Sequence, residues 1–333
     1  MKICGNKPLD FPGEGRSFVG DGGVATAGEK KLPLFQRLRR VYRDFPVLGT
    51  FHRLGRALDA ALFPPKCLVC GEFFPTAVAA PHEAEAGDGG LAALRECSDS
   101  RRFRILLFPF LCRRCREDFS PLCSPLCTRC GKPFPVTDGE DHLCGPCMEK
   151  PGRIRKIRAV GVYDGALMAV IHLLKYREKI HLAPPLGRLL FLAFLTHFCE
   201  GGWGAGGRID LVLPVPLHRR KHRQRGFNQA WLLVRRWSRY MASQVVGEVP
   251  IAVEPHLLVR HRWTESQTGF KRDARFKNVR NAFRTGGEAV LRGKRVLLVD
   301  DVYTTGATAE ACAGVLLAGG AWSVDLLTLA RAS

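Results

Sequence analysis

From residue 151 onward, short apolar runs alternate with segments of helical period. IRAVGVY (157–163) precedes ALMAVIHLLKY (166–176), and IDLVLPVP (209–216) precedes FNQAWLLVRRWSRYM (227–241). KRVLLVDD (294–301) then precedes ATAEACAGVLLAGG (307–320), and WSVDLLTLA (322–330) closes the series. Apolar runs of this length are what strands buried on both faces look like, and the helical segments supply the crossovers that parallel strands need. The expectation over 151–333 is therefore an α/β domain, a mostly parallel sheet with flanking helices. Ahead of it the pattern changes. Residues 67–147 hold short cysteine knuckles, a low-complexity stretch at about 76–100 read as an insertion, and then a strand-like FRILLFPFL. This defines a small cysteine-rich domain over 58–150. Residues 1–57 form an N-terminal extension. Its Gly-rich start is expected to be disordered, whereas 33–62 has amphipathic character up to Pro64-Pro65.

Composition narrows the picture. Of 333 residues, 46% are hydrophobic and 25% charged, enough to bury a core. Lys and Arg outnumber Asp and Glu by 51 to 31, a formal charge of +20 that calls for anionic company: a phosphorylated substrate, nucleic acid or an acidic surface. No run reaches the ~20 apolar residues of a membrane span. The nearest, Leu186 to Cys199, contains Arg188 and His197 and reads as a core helix. The first residues show no apolar secretory core. A cytoplasmic location is expected.

Eight of the 13 cysteines fall in CxxC pairs: Cys67/Cys70, Cys112/Cys115, Cys127/Cys130 and Cys144/Cys147. Without an export signal this is metal-ligand usage rather than a disulfide framework. Two knuckles complete a tetrahedral four-sulfur site, which suits Zn²⁺. Gly71, Gly131 and Gly145 stand where the backbone must turn around the sulfurs. Cys127, Cys130, Cys144 and Cys147 have ordinary zinc-ribbon spacing; Cys67 and Cys70 are separated from Cys112 and Cys115 by 41 residues that include the insertion. Two structural zinc ions are expected.

The most informative string is VLLVDDVYTTGAT (296–308). A buried strand ends in two carboxylates, Asp300 and Asp301. A bend of Thr304, Thr305, Gly306 and Ala307 follows, and a helix starts near Thr308. Ligands of open parallel sheets sit beyond the carboxyl ends of the strands. A small-residue bend opening a helix offers N–H groups and hydroxyls to a phosphate. The carboxylates suit sugar hydroxyls, or a Mg²⁺ that bridges to pyrophosphate. Phosphate, vicinal diol and metal-bound pyrophosphate together describe phosphoribosyl pyrophosphate (PRPP). Two aspartates merely capping a helix are the plainer alternative, and the whole string argues against it.

This string resembles the PRPP-binding signature of type I phosphoribosyltransferases. LPVPLHRRKHRQRGFNQA (213–230), RHRWTESQTGFKRDARFKNVRNAF (260–283) and LLKY (173–176) resemble the ComF family of competence proteins over roughly residues 58–330. The resemblance implies a double zinc ribbon ahead of a type I phosphoribosyltransferase-like sheet. It also implies that Asp300 and Asp301 hold the ribose hydroxyls and that Thr304 to Thr308 cradle the 5′-phosphate. The loop after Pro216 would lie at the pyrophosphate end, and 260–283 would be a lid. The N-terminal extension and the insertion depart from the family pattern.

RRKHRQR (219–225) follows a strand on the same sheet edge as Asp300 and reads as an anion-binding loop, for pyrophosphate or for a DNA backbone. Its candidates are Arg219, Arg223 and Arg225. In the lid they are Arg260, Arg262, Thr264, Gln267, Lys271 and Arg272. His172, Lys175 and Tyr176 read as packing or surface residues, with Lys175 within reach of a phosphate. Trp231, Trp237 and Trp263 are near the basic segments, where they could stack on bases.

Two functions stand at this point. One is a ComF-like PRPP-binding protein acting in DNA uptake and natural transformation, with single-stranded DNA and a competence helicase as partners. The other is a metabolic phosphoribosyltransferase acting on a nitrogen nucleophile, with no role in DNA handling.

Overall fold

The computed structural model describes residues 64–74, 90–136, 138–199, 208–243, 251–263, 279 and 281–332. The expectations for residues 1–57 and for most of the insertion fall outside them. By packing, the chain divides into two compact units, Met1–Pro65 with Phe73–Val78 and Lys66–Glu72 with Ala79–Ser333. The second unit holds both cysteine clusters and the sheet.

Five parallel strands form that sheet: β1 (Ile157–Val162), β2 (Leu211–Pro214), β3 (Ala252–Val253), β6 (Arg295–Tyr303) and β7 (Ser323–Arg331), in the order β1-β7-β6-β2-β3. The register sets Leu213 beside Leu298, Val299 beside Leu327 and Ile157 beside Leu326. Alternate residues serve opposite faces. Leu211, Leu213, Val296, Leu298, Val324 and Leu326 share one core with Ala313 and Leu316 of α11 (Ala307–Ala318). The other face is covered by α6 (Ala183–Phe194) and α8 (Gln229–Val234), and α5 (Gly165–Tyr176) follows β1. Burial on both faces explains the near-continuous apolar strands.

Helix α6 opens on Pro184 and Pro185, which fit a first turn whose N–H groups have no helical acceptor. It continues from a 3₁₀ turn (Ile180–Leu182) into a π turn (Leu195–Cys199). The whole segment, Ile180–Cys199, is longer than the sequence pattern indicated and is the one described helix long and apolar enough to cross a membrane. Most of it is buried inside the protein, as a core helix. Gly187 lets the α8 backbone approach, since a Cβ there would collide with the Leu233 carbonyl oxygen.

The remaining elements include differences from expectation. FRILLFPFL is not a strand: Asp99–Leu106 is helix α2, and Phe103, Leu106, Leu107 and Leu111 are buried at helical spacing. Part of the presumed insertion is structured, because α1 (Gly90–Arg95) buries Leu91 and Leu94 and the Arg102 side chain bonds the Leu94 carbonyl at 2.9 Å. Short helices α3 (Arg113–Glu117) and α4 (Gly145–Glu149) carry the second knuckle of each cysteine cluster: Cys112 and Cys144 stand at their N-caps, and Cys115 and Cys147 lie within them. The basic run expected as a loop is helix α7 (Arg219–Arg225). The long helix expected over 227–241 is two, α8 and α9 (Trp237–Ser243). Strands β4 (Leu258–Arg260) and β5 (Phe283–Thr285) pair antiparallel at the base of the expected lid, and α10 (Glu288–Leu291) leads into β6.

Candidate functional site

The cysteines gather as two groups of four: Cys67, Cys70, Cys112 and Cys115, and Cys127, Cys130, Cys144 and Cys147, each with its sulfurs within 4.8 Å of one another. Sulfur pairs across the knuckles, Cys70–Cys112 and Cys130–Cys144, lie 3.7 Å apart. A tetrahedral ion with metal–sulfur bonds of about 2.3 Å has sulfur–sulfur edges of roughly 3.8 Å, so the groups fit one. The two clusters repeat a single plan. In each, the first cysteine donates its N–H to a residue five on (Glu72 or Lys132), and the glycine after the knuckle (Gly71 or Gly131) has positive φ. Burial opposes ionisation of Cys67 and Cys127, yet backbone N–H donors outweigh it and pull both thiols down to about 6. Burial and neighbouring sulfurs push Cys115 and Cys147 up.

The second cluster is tied to the sheet. Ile157 of β1 donates to the Arg129 carbonyl at 2.7 Å, and Arg331 of β7 donates to the Cys130 carbonyl at 2.6 Å. The same Arg331 guanidinium lies 4.9 Å from the centroid of the Tyr303 ring, at the start of the Thr-Gly bend.

In the strand order, the chain leaves β2 toward β3 on one side and leaves β6 toward β7 on the other. The crevice beyond the carboxyl ends of β2 and β6 is thus a topological switch point. A cavity of about 430 Å³ opens there. Its acidic floor is Asp300 and Asp301. Asp301 is 3% exposed and pairs with Lys175 of α5 at 2.8 Å. Burial works against a charged Lys175, but Asp301 more than offsets it and raises the pKa. Asp300 is reachable from the cavity though densely surrounded, and burial followed by repulsion from Asp301 pushes it up to about 8.

One wall is the bend. Thr304, Gly306, Ala307 and Thr308 line the cavity. Gly306 sits before α11 with φ 80°, and no side chain caps the helix, so its first N–H groups have no acceptor within the helix and carry its positive dipole end. A Cβ at Gly306 would meet Tyr303 Oη at 2.7 Å. Gly226, also at positive φ, has nothing within 4 Å. Both Gly→Ala substitutions should cost about 1 kcal/mol for the backbone alone. Gly306→Ala should cost measurably more in denaturant melts, by the displacement of Tyr303; equal costs would show that the ring yields freely.

The opposite wall is cationic. His218 caps α7 by accepting from the Arg220 N–H, Gly226 ends it in the left-handed region, and Asn228 ties the next helix to the Val215 carbonyl at 3.1 Å. Helical spacing turns Lys221 and Arg225 into the cavity, where Arg260 joins them. Burial, then repulsion from Arg225 and Arg260, lowers Lys221.

Of the residues expected from sequence, the cavity brings together Asp300, Asp301, Thr304, Gly306, Ala307, Thr308, Arg225 and Arg260. Thr305 lies in the bend but does not line the cavity, and its buried Oγ1 has no hydrogen-bond partner among the described residues. Arg219 and Arg223 are exposed on the outward side of α7, and Arg262 is exposed beyond β4. Thr264, Gln267, Lys271 and Arg272 lie outside the described residues. Trp237 is a core residue bonded to the Gly187 carbonyl, and Trp263 packs near His218 and Arg220. Sequence reasoning missed Lys221 and Tyr163, and it treated His172 and Tyr176 as bystanders although they too line the cavity. Reading 219–225 as a helix would have found Lys221, four residues before Arg225.

No family model matches the chain. The "DNA utilization protein YhgH" of Escherichia coli (strain K12) is 34% identical over 242 residues, 68% of this chain and 99% of its own length. "Competence protein F" of Haemophilus influenzae is 29% identical over 240 residues, 68% of this chain and 98% of its own. Among solved structures, the glutamine PRPP amidotransferase of Bacillus subtilis, complexed with ADP and GMP, is 21% identical with a TM-score of 0.24, covering 42% of this chain and 24% of that one. With identity at this level along nearly the full length of such relatives, the chain belongs to the ComF family of competence proteins.

Proposed function

We propose that the switch-point cavity binds PRPP with Mg²⁺ and that the protein serves the uptake and use of DNA. The observation that carries the PRPP reading is the pairing of an acidic floor, Asp300 and Asp301, with an uncapped helix N-terminus on one side and three cations on the other. The 5′-phosphate accepts from the N–H groups of Ala307 and Thr308 and from Thr304, which line the cavity. The ribose hydroxyls donate to Asp300 and Asp301. Lys221, Arg225 and Arg260 then face the pyrophosphate.

The reaction this arrangement suits is pentosyl transfer. A nitrogen nucleophile forms a bond to C1 while the C1–oxygen bond breaks and pyrophosphate leaves with the electron pair. The residues orient the sugar and neutralise the leaving group. Mg²⁺, when bound, adds positive charge at the pyrophosphate. The two four-cysteine groups are read as zinc sites, since four thiolates in tetrahedral reach favour that ion. Reduced thiols suit a cytoplasmic setting.

The relatives' names, DNA utilization and competence, favour DNA as the context. The outward face of α7, with Arg219, Arg220 and Arg223, is the proposed contact for single-stranded DNA, and a helicase is the proposed protein partner. Titration calorimetry on one preparation tests both parts. Mg²⁺-dependent heat with PRPP is expected, together with single-stranded DNA binding whose affinity falls with salt. Changing the three arginines to Gln should reduce the salt slope by roughly two units, at about 0.7 per phosphate contact. An unchanged slope contradicts the DNA assignment, and no heat with PRPP contradicts the donor site.

A further inference from the structure

The wall that carries the Thr-Gly bend is backed by the Cys127 cluster through two side chains. Tyr303 of β6 and Arg331 of β7 are register partners, so their side chains stand on the same face of the sheet. At one end of the path, Arg331 Nη1 donates to the Cys130 carbonyl at 2.6 Å, and its Nη2 lies 4.0 Å from the Cys130 sulfur. Its Nε is buried without a hydrogen-bond partner among the described residues, so a guanidinium that lost Cys130 would leave a second donor unmet. The guanidinium carbon sits 4.9 Å from the centroid of the Tyr303 ring, a cation–π contact. At the other end, the far edge of that ring is packed on Gly306: a Cβ there would lie 2.7 Å from Oη, 3.0 Å from Cε2 and 3.1 Å from Cζ. Gly306 in turn opens α11 at φ 80°.

We infer that Arg331 and Tyr303 are positioning residues that couple metal binding by Cys127, Cys130, Cys144 and Cys147 to phosphate binding at the bend. This rests on the PRPP reading, which assigns the bend to the 5′-phosphate. Cys130 is placed by its cluster: its sulfur is 3.7 Å from that of Cys144, the edge that a shared ion sets. Without an ion the four sulfurs lose their common centre, the knuckle relaxes, and the carbonyl that holds Arg331 moves. Arg331 then no longer fixes the Tyr303 ring, and Gly306 loses the surface against which it turns. That turn aims the N–H groups of Ala307 and Thr308, so the phosphate is held less tightly. Linkage makes the coupling reciprocal: phosphate on the bend must hold the metal more tightly.

The Cys67 cluster is an internal control. Leu68 of its first knuckle donates to the Phe110 carbonyl at 3.0 Å, and among the described residues no hydrogen bond joins this cluster to β6, β7 or the bend.

The test follows zinc transfer from the full chain to a chromogenic chelator, with and without saturating PRPP and Mg²⁺. In the parent, PRPP should slow the release of one ion at least about fivefold, the low end of coupling between sites, and leave the other unchanged. Cys70→Ser, which empties the Cys67 cluster, should keep the slowed ion. A ligand that merely stabilised the fold would slow both ions alike. Arg331→Met should return the ion to its unliganded rate although PRPP at saturation still binds, and Tyr303→Leu should do so from the other end of the path. Calorimetry should show PRPP affinity weakened at least about fivefold in each variant. If PRPP binds the parent and both ions are slowed, or neither, the coupling is wrong and the donor site stands; that result needs no variant to fold. Slowing that survives Arg331→Met also overturns the path. If PRPP fails to bind the parent, both readings fall.

Discussion

At pH 8 and above, where its carboxylate is charged, Asp300→Asn is expected to weaken Mg²⁺-dependent PRPP binding roughly 10- to 100-fold, the scale of one charge-assisted hydrogen bond, while making the unliganded chain more stable. The two effects have one cause. In the unfolded chain Asp300 ionises near 3.8, but in the folded protein burial and the adjacent Asp301 push it up to about 8. Between those values the folded state holds a proton that the unfolded state has lost. Stability therefore falls as pH rises through this window, with the full penalty present above it. Asparagine carries no such penalty. Melting curves at pH 5 and pH 8 should show the variant gaining on the parent as pH rises, and calorimetry should show the loss of PRPP. A variant that melts like the parent at both values would contradict the strain argument.

Asp301→Asn should behave differently. Asp301 holds Lys175, whose side chain is only 14% exposed, so removing the carboxylate leaves a poorly solvated cation. The expected cost is about 3–5 kcal/mol. Loss of PRPP binding in that variant alone would therefore be ambiguous, which makes Asp300→Asn the cleaner probe.

Metal loss should have the larger structural effect. Protein purified without added metal is expected to carry two zinc ions per chain by elemental analysis; one or none would reject the paired-cluster scheme. Structural zinc contributes on the order of 10 kcal/mol to small sites of this kind. Cys127→Ser should release one ion and also loosen the sheet edge. The Cys127 carbonyl lies within 3.4 Å of Arg158 Nη1, and the neighbouring Arg129 carbonyl accepts from Ile157. Cys70→Ser acts in the other cluster and should release one ion while leaving these contacts to β1 intact. Equal effects on the melting of the sheet would argue against that linkage.

Much of this arrangement was legible before any coordinates, for local reasons. The strand β6, its acidic end and the bend into α11 are contiguous, so apolar run, carboxylates and small residues appear side by side in the chain. The Cys127 cluster is equally local, and its spacing alone identified it. What was not legible depends on distance or on period. The partnership of Lys175 with Asp301 joins α5 to β6, and nothing in either segment announces the other. The RRKHRQR run contains no apolar residue, so it has no hydrophobic stripe to reveal a helix; its caps, His218 and Gly226, were the available signal. FRILLFPFL misled because a run that is apolar almost throughout has no period, and its helix is set by packing around Phe103. Strand β3 is two residues long, too short to show alternation.

The most direct measurement is a crystal structure of the full chain grown with Mg²⁺ and PRPP. The account predicts the 5′-phosphate against residues 304–308, the ribose hydroxyls beside Asp300 and Asp301, and the pyrophosphate facing Lys221, Arg225 and Arg260. PRPP bound on the outward arginines of α7, or absent from the crevice beyond β2 and β6, would contradict it.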